Sequence, residues 1–93
     1  NKISYEDRKQ LDKDIRKLSN KVAKLEREVD ALEQELKHLD AELENPEKFQ
    51  EMSKKEEFFK EYHQKQQKLS NFIENWEKSL EELESKKEVR SKF

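Results

Sequence analysis

Six basic residues in the first third of the chain have spacings that place them along one side of a helix. If Ile15 is position a of a seven-residue repeat, they occupy positions b, c and f, which point away from a and d, and Asn20 joins them at f. Such a row, about four helical turns long, can follow a phosphate backbone, where each contact releases counterions and makes binding salt-dependent. The six residues, called the basic stripe below, are Lys9, Lys13, Arg16, Lys17, Lys24 and Arg27.

The outer positions of coiled coils are often charged simply because they face solvent, so a second interpretation of the basic stripe stays open. The charges are unevenly distributed: residues 1–27 contain nine Lys or Arg against five Asp or Glu, whereas residues 28–47 contain only Lys37 against eight acidic residues. We also expect five acidic residues of the second half near the stripe, which makes any basic surface one-sided. They are Glu74, Glu77, Glu81, Glu82 and Glu84.

Other kinds of site have little support in the sequence. Glu35 and His38 have the Glu-x-x-His spacing of di-iron bundles, but those bundles need two such motifs and further carboxylates. His63 is expected to lie near Asp40, as a hydrogen-bond partner. The chain has no Gly for a phosphate-binding loop and no deep core in which a pKa would be strongly shifted. We therefore expect no catalysis, metal or cofactor in this segment.

One long apolar repeat must position these side chains. From residue 11 to residue 43 the apolar residues alternate in steps of four and three, which is a heptad repeat, and a helix keeps such a stripe on one face by packing lengthwise against a partner helix. Members of this repeat are Leu11, Ile15, Leu18, Val22, Leu25, Val29, Leu32, Leu36, Leu39 and Leu43. Composition agrees, since 93 residues that are 47% charged and 30% hydrophobic cannot fill a compact core.

Capping signals predict the helix boundaries. Ser4, with Asp7 three residues later, predicts the start of a helix over residues 4–44. Asn45-Pro46 must end that helix, because the residue before a proline is pushed out of the helical region. We interpret residues 45–52 as a connection with up to one helical turn, in which Phe49 and Met52 cover the end of the repeat. A capping box at Ser53–Glu56 predicts a second helix over residues 53–88.

The second helix continues the heptad alternation if Gln66 is accepted at an a position. Its apolar residues are Phe59, Tyr62, Leu69, Ile73, Trp76, Leu80 and Leu83, with Phe58 and Phe72 beside them at g. In an antiparallel pair, facing residues have a constant sum of residue numbers, and a sum of 98 gives each of the seven an apolar partner, as in Leu25 with Ile73. The same register places Asp14 near Lys86 and Glu35 near Lys65.

The sequence thus predicts an all-α fold, a two-helix antiparallel coiled-coil hairpin that is a single domain over residues 1–93. The alternative is a parallel dimer, which Ile or Val at a and Leu at d would suit; Pro46 and the second repeat favour the hairpin, so we expect a monomer. No stretch is apolar enough to cross a membrane or to form a signal peptide, and Cys is absent, so we expect a cytoplasmic location and no membrane partner. A start at Asn1 rather than Met suggests a segment of a longer protein.

Three segments, in order, resemble the C-terminal domain of Uup-type ABC-F proteins, which have two ATP-binding cassettes and no transmembrane part. They are Ser4-Tyr5-Glu6-Asp7-Arg8-Lys9-Gln10-Leu11, Asn45-Pro46-Glu47-Lys48-Phe49 and Trp76-Glu77-Lys78-Ser79-Leu80-Glu81-Glu82-Leu83. The resemblance implies a coiled-coil hairpin that binds nucleic acid, DNA or ribosomal RNA, beside the cassettes of its parent chain. One difference is Asn75, where the family often has Arg before the tryptophan, and neither cassette is present to be checked.

Two further hypotheses stay open. The chain can instead be a structural spacer or dimerisation module whose charged faces contact solvent and protein alone. It can also be the coiled-coil arm of a tRNA synthetase, which would share the basic surface. The aromatic residues within the repeat are explained by packing, whereas Tyr5 precedes the repeat and either covers its open end or faces a partner.

Overall fold

Three helices account for nearly all of residues 4–93, the part of the chain that the computed structural model describes. They are α1 (Tyr5–Leu43), α2 (Pro46–Ser53) and α3 (Glu56–Ser91), and no strand occurs among the described residues. The predicted all-α class is confirmed. The lead-in expected at residues 1–3 lies outside the described residues.

The start of α1 agrees with the capping prediction. Ser4 has extended backbone angles, φ −66° and ψ 161°, and its hydroxyl oxygen accepts a hydrogen bond from the Asp7 backbone N–H at 3.2 Å. Glu6 and Asp7 lie in the first turn, where carboxylates are stabilised by the helix dipole. From there α1 continues for 39 residues without a break, which corresponds to roughly 58 Å.

Asn45-Pro46 ends α1 as predicted and starts α2. The Asn45 side-chain oxygen accepts from the Glu47 backbone N–H at 3.1 Å, and Pro46 occupies the first turn, where its missing N–H costs nothing. The connection is more helical than expected, because α2 has eight residues, about two turns. Phe49 is 47% exposed and so does not cover the end of the repeat, whereas Met52 is half-buried.

The predicted capping box at Ser53 is wrong. Ser53 is the last residue of α2, and its hydroxyl donates to the Gln50 carbonyl at 3.1 Å. α3 begins at Glu56, preceded by Lys55, whose side chain makes no capping hydrogen bond. At its other end α3 continues to Ser91, three residues beyond the predicted limit.

The apolar repeat of α1 is shielded from solvent along its whole length. Val22, Leu25, Leu32 and Leu36 are buried, at 7–8% exposure. The other six members of the repeat are half-buried. The repeat therefore identifies the inner face of α1 correctly.

The inner face of α3 is wider than predicted. All seven predicted apolar residues are buried or half-buried, from Phe59 to Leu83, whereas Gln66 is exposed. The g positions beside them are shielded as well, and Ser79 is 3% exposed. They are Phe58, Lys65, Phe72, Ser79 and Lys86. This wider face covers two further phenylalanine rings and keeps the Gln66 amide in water.

Contacts between α1 and α3 connect the start of one helix to the end of the other. Arg90 bonds Asp12 at 2.8 Å, Trp76 Nε1 donates to Glu26 at 3.1 Å, and the Tyr62 hydroxyl donates to Asp40. The predicted neighbours are also confirmed as ion pairs, Lys86 with Asp14 at 3.8 Å and Lys65 with Glu35 at 3.6 Å. The described chain measures 67 × 18 × 14 Å. None of its helices is apolar over a length that would cross a membrane.

Candidate nucleic-acid interface

All six members of the basic stripe are exposed on α1. The helix is continuous from Lys9 to Arg27, so the stripe extends over roughly 27 Å. Their heptad positions, b, c and f, keep these side chains on the side of α1 that faces away from its apolar repeat. The six side chains predicted from the sequence therefore lie together on one surface.

The basic stripe is free of internal ion pairs. In the described part of the chain, no ion pair involves any of its six residues. Two carboxylates at the edges of the stripe, Asp12 and Asp14, bond instead to Arg90 and Lys86 of α3. Because these acids already have cationic partners, they offset the positive charge of the stripe less than free carboxylates would.

The acidic residues of α3 limit the basic surface to one helix. Glu74, Glu77 and Glu81 are exposed, as are Glu82 and Glu84. These residues lie within or next to the segment of α3 from Trp76 to Lys86. That segment contacts α1 between Asp14 and Glu26. A phosphate backbone would therefore follow α1 and stay clear of α3.

A small hollow at the end of the stripe brings Tyr5 and Lys9 together with three residues that the sequence did not single out. Its volume is about 210 Å³, and it is lined by Tyr5, Arg8, Lys9, Asp12 and Arg90. The Tyr5 ring is 72% exposed, so it does not cover the end of the repeat. An exposed aromatic ring among basic side chains can stack on a base while the cations contact phosphates. Arg90 was missed because it follows the predicted end of the second helix.

The other polar sites proposed from the sequence do not assemble. Glu35 pairs with Lys65, and His38 Nε2 lies 3.3 Å from Glu42. No group of three metal-ligating side chains occurs in residues 4–93. The expected bond between His63 and Asp40 is replaced by one from Tyr62, because Tyr62 lies on the inner face of α3 and His63 is exposed.

The surroundings of Tyr62 shift the pKa of its phenol. Its hydrogen bond to Asp40, followed by burial and by the negative charge of that carboxylate, raises the pKa of the phenol above its ordinary value of 10.0. The folded state therefore favours the neutral phenol. Its contribution to stability is complete below the pKa of the unfolded chain and is lost as the pH rises through the higher pKa of the folded state.

We expect Tyr62→Phe to lower stability by about 0.5–1 kcal/mol at neutral pH, because one exposed hydrogen bond between the helices is lost. The difference from the parent protein should disappear at alkaline pH, above the folded-state pKa. Urea denaturation of both proteins from about pH 7 to about pH 11 measures the difference between their free energies of unfolding. Tyr5→Phe is the control, since Tyr5 is 72% exposed. A stability difference that stays constant across this range would contradict the assignment of the effect to the phenol.

Comparisons with protein-family models, with curated proteins and with solved structures found no significant match to this chain. The functional interpretation therefore depends on the arrangement and charge of the residues themselves.

Proposed function

We propose that the chain is a two-helix antiparallel coiled-coil hairpin that binds the phosphate backbone of nucleic acid through the basic stripe. In this proposal it is the C-terminal domain of a soluble, cytoplasmic ABC-F type ATP-binding protein. Its target is DNA or ribosomal RNA, and the ATP-binding cassettes of the parent chain are its neighbours. The hairpin itself is a monomer and performs no catalysis.

The hairpin is supported by the register of the contacts between α1 and α3. The residue numbers of the five bonded pairs add up to 100 or 102 in every case, from Asp12–Arg90 to Asp40–Tyr62. A nearly constant total is the property of antiparallel helices in one register. The two ion pairs with a total of 100, Asp14–Lys86 and Glu35–Lys65, are the pairs expected beside apolar residues whose sum is 98.

One observation carries the nucleic-acid proposal: six exposed cations follow one side of α1 with no carboxylate partner in the described residues. Arg and Lys side chains on a solvated coiled coil often pair with neighbouring carboxylates, as Lys78 does with Glu74 at 3.3 Å. On the stripe, such partners are absent from the described part of the chain. A polyanion would supply them.

The ABC-F part of the proposal is supported by the resemblance of three segments. They fall at the start of α1, at the junction of α1 with α2 and in the second half of α3. Asn75 departs from the family pattern. This part of the proposal depends on short motifs and their order.

Titration of the 15N-labelled chain with duplex DNA and with structured RNA tests the proposal. We expect amide shifts at residues 5–27, with the largest changes at the basic stripe. The shifts should fade as salt is raised from about 50 to about 200 mM, because counterion release drives the binding. Comparing the two ligands shows whether DNA or RNA is preferred. Shifts at α2 instead, or no shifts at about 50 mM salt, would contradict the proposal.

A spacer function is the second candidate, and the 67 Å length of the described chain favours it. A spacer that dimerises would show a doubled mass in sedimentation equilibrium. A monomeric spacer would show neither a doubled mass nor binding to nucleic acid.

A further inference from the structure

The e positions of α1 and α3 are predominantly acidic, although Asp12 at one end is paired with Arg90. These positions, called the acidic margin below, are Asp12, Ser19, Glu26, Glu33, Asp40, Glu56, His63, Ser70, Glu77 and Glu84. Seven of the ten are carboxylates and none is Lys or Arg. The opposite margin is mixed, because Lys65 and Lys86 form their ion pairs there. The acidic margin would repel a phosphate backbone.

An apolar groove runs along the middle of the acidic margin. It has a volume of about 360 Å³ and is lined by Glu26, Val29, Asp30, Glu33, Ile73 and Trp76. Ile73 and Trp76 line this groove and are half-buried, whereas Phe72 lines a hollow on the opposite margin. A second hollow of about 330 Å³ continues it past Ile73 to Leu36 and Leu69.

The carboxylates at the rim of the groove are available to a ligand. Glu26 accepts one hydrogen bond, from Trp76 Nε1 at 3.1 Å, through one of its two oxygens. Asp30 and Glu33 have no ion pair or side-chain hydrogen bond within residues 4–93. The floor of the groove is therefore apolar, and its rim carries three exposed negative charges.

We infer that this groove binds a basic amphipathic helix of a partner protein. Residues 26 to 36 of α1 cover roughly 15 Å, which is the length of three helical turns. Apolar side chains on one face of the partner would occupy the floor beside Val29, Ile73 and Trp76, as in other helix-in-groove complexes. Lys or Arg side chains beside them would meet the carboxylates of the rim. Charge complementarity selects this partner, because an acidic helix would be repelled by the same rim.

This inference does not depend on the nucleic-acid proposal, since the groove and the basic stripe share no residue. The basic stripe lies at outer positions of α1, whereas the groove lies between α1 and α3. One surface would take a polyanion and the other a cationic helix. Both ligands can therefore bind to the same molecule.

Trp76 is the one tryptophan of the chain, so its fluorescence reports directly on the groove. The probe is a synthetic amphipathic helix of Leu and Lys, and the comparison peptide has Glu in place of every Lys. We expect the Lys peptide to shift the Trp76 emission to the blue with saturation, because leucines exclude water from the indole. The Glu peptide should leave the emission unchanged. Because this comparison uses the unaltered protein, it decides the question without any variant.

The rim is tested by the triple variant Glu26→Gln, Asp30→Asn and Glu33→Gln. The amide that replaces the Glu26 carboxylate retains an oxygen for the hydrogen bond from Trp76. We expect the affinity for the Lys peptide to fall about 10-fold, since three exposed ionic contacts are lost. The matched control is Glu81→Gln, Glu82→Gln and Glu88→Gln, which removes the same charge outside the groove and should leave affinity nearly unchanged.

Several results would overturn the inference. They are an unchanged emission with the Lys peptide, binding of the Glu peptide with equal affinity, and an equal loss of affinity in both triple variants. Sedimentation equilibrium adds another: a doubled mass that the Glu26, Asp30 and Glu33 substitutions abolish would mean that a second copy of this chain occupies the groove.

Discussion

Reversing three charges of the basic stripe, K13E/R16E/K17E, is expected to weaken binding to duplex DNA or structured RNA by about 100-fold at low salt. Each lost phosphate contact costs on the order of 1 kcal/mol, and the three new carboxylates repel the backbone. The slope of the logarithm of affinity against the logarithm of salt concentration should fall by about three, one for each contact removed. Fluorescence anisotropy of a labelled duplex and a labelled RNA hairpin over a salt series measures both quantities.

The matched control is K48E/K54E/K60E. These three lysines are exposed, lie in or near α2 and the start of α3, and change the net charge by the same amount. If position on α1 matters, the control should weaken binding far less than the stripe variant. An equal loss in both variants would mean that overall charge, and not the stripe, determines the affinity. Circular dichroism of both variants verifies that the helices remain.

Truncating a leucine that is buried between α1 and α3 should lower the free energy of unfolding more than the other substitutions. Leu32 is 8% exposed and Leu83 is 5% exposed, and the variants Leu32→Ala and Leu83→Ala each truncate one of these side chains. We expect a loss of about 2–3 kcal/mol each, near the lower end for buried leucines, because a core one layer thick lets water and neighbouring side chains fill part of the space. For a domain of this size, that lowers the melting temperature by roughly 10–20 °C.

The control for this prediction is Phe49→Ala. Phe49 is a large apolar residue but is 47% exposed on α2, so its truncation should cost far less. Thermal unfolding followed by circular dichroism measures all three variants. Unchanged melting of the Leu32→Ala protein would mean that the α1–α3 packing does not hold the fold together, and it would remove the basis of the hairpin proposal.

The sequence predicts α1 well because its repeat is unambiguous. Ten apolar residues at heptad spacing leave one possible inner face, and all ten are shielded in the structure. The helix start at Ser4 and the break at Asn45-Pro46 were also readable, since both depend on local hydrogen bonding and sterics.

The full width of the inner face of α3 was not determined by the sequence pattern. All seven predicted apolar residues are shielded, but Lys65, Ser79 and Lys86 at the g positions are shielded too. Shielding of the two lysines depends on the other helix, whose carboxylates pair with them on one side. The apolar groove lies between the two helices, so it could not be inferred from either helix by itself.

The basic stripe was located correctly as an exposed surface, because outer heptad positions follow directly from the inner ones. Exposure and charge do not determine the role of the stripe, because surfaces that bind nothing have the same two properties. The hollow around Tyr5 and Arg90 was beyond sequence reasoning, because those two residues are 85 positions apart. Only the pairing of the helices brings them together.

The bonds between α1 and α3 also imply an order of assembly. Tyr62–Asp40 joins residues 22 positions apart, Trp76–Glu26 residues 50 apart and Arg90–Asp12 residues 78 apart. Closing the longest of these loops directly costs about 1 kcal/mol more than closing the shortest, and each pair that forms shortens the loop for the next. In the proposed hairpin, pairing that starts next to α2 and proceeds toward the termini therefore has the lowest loop-closure cost, and opening from the termini is its reverse. The basic stripe lies in the half of the α1–α3 pair that would close last. A bound polyanion would therefore stabilise the end of the pair that opens first.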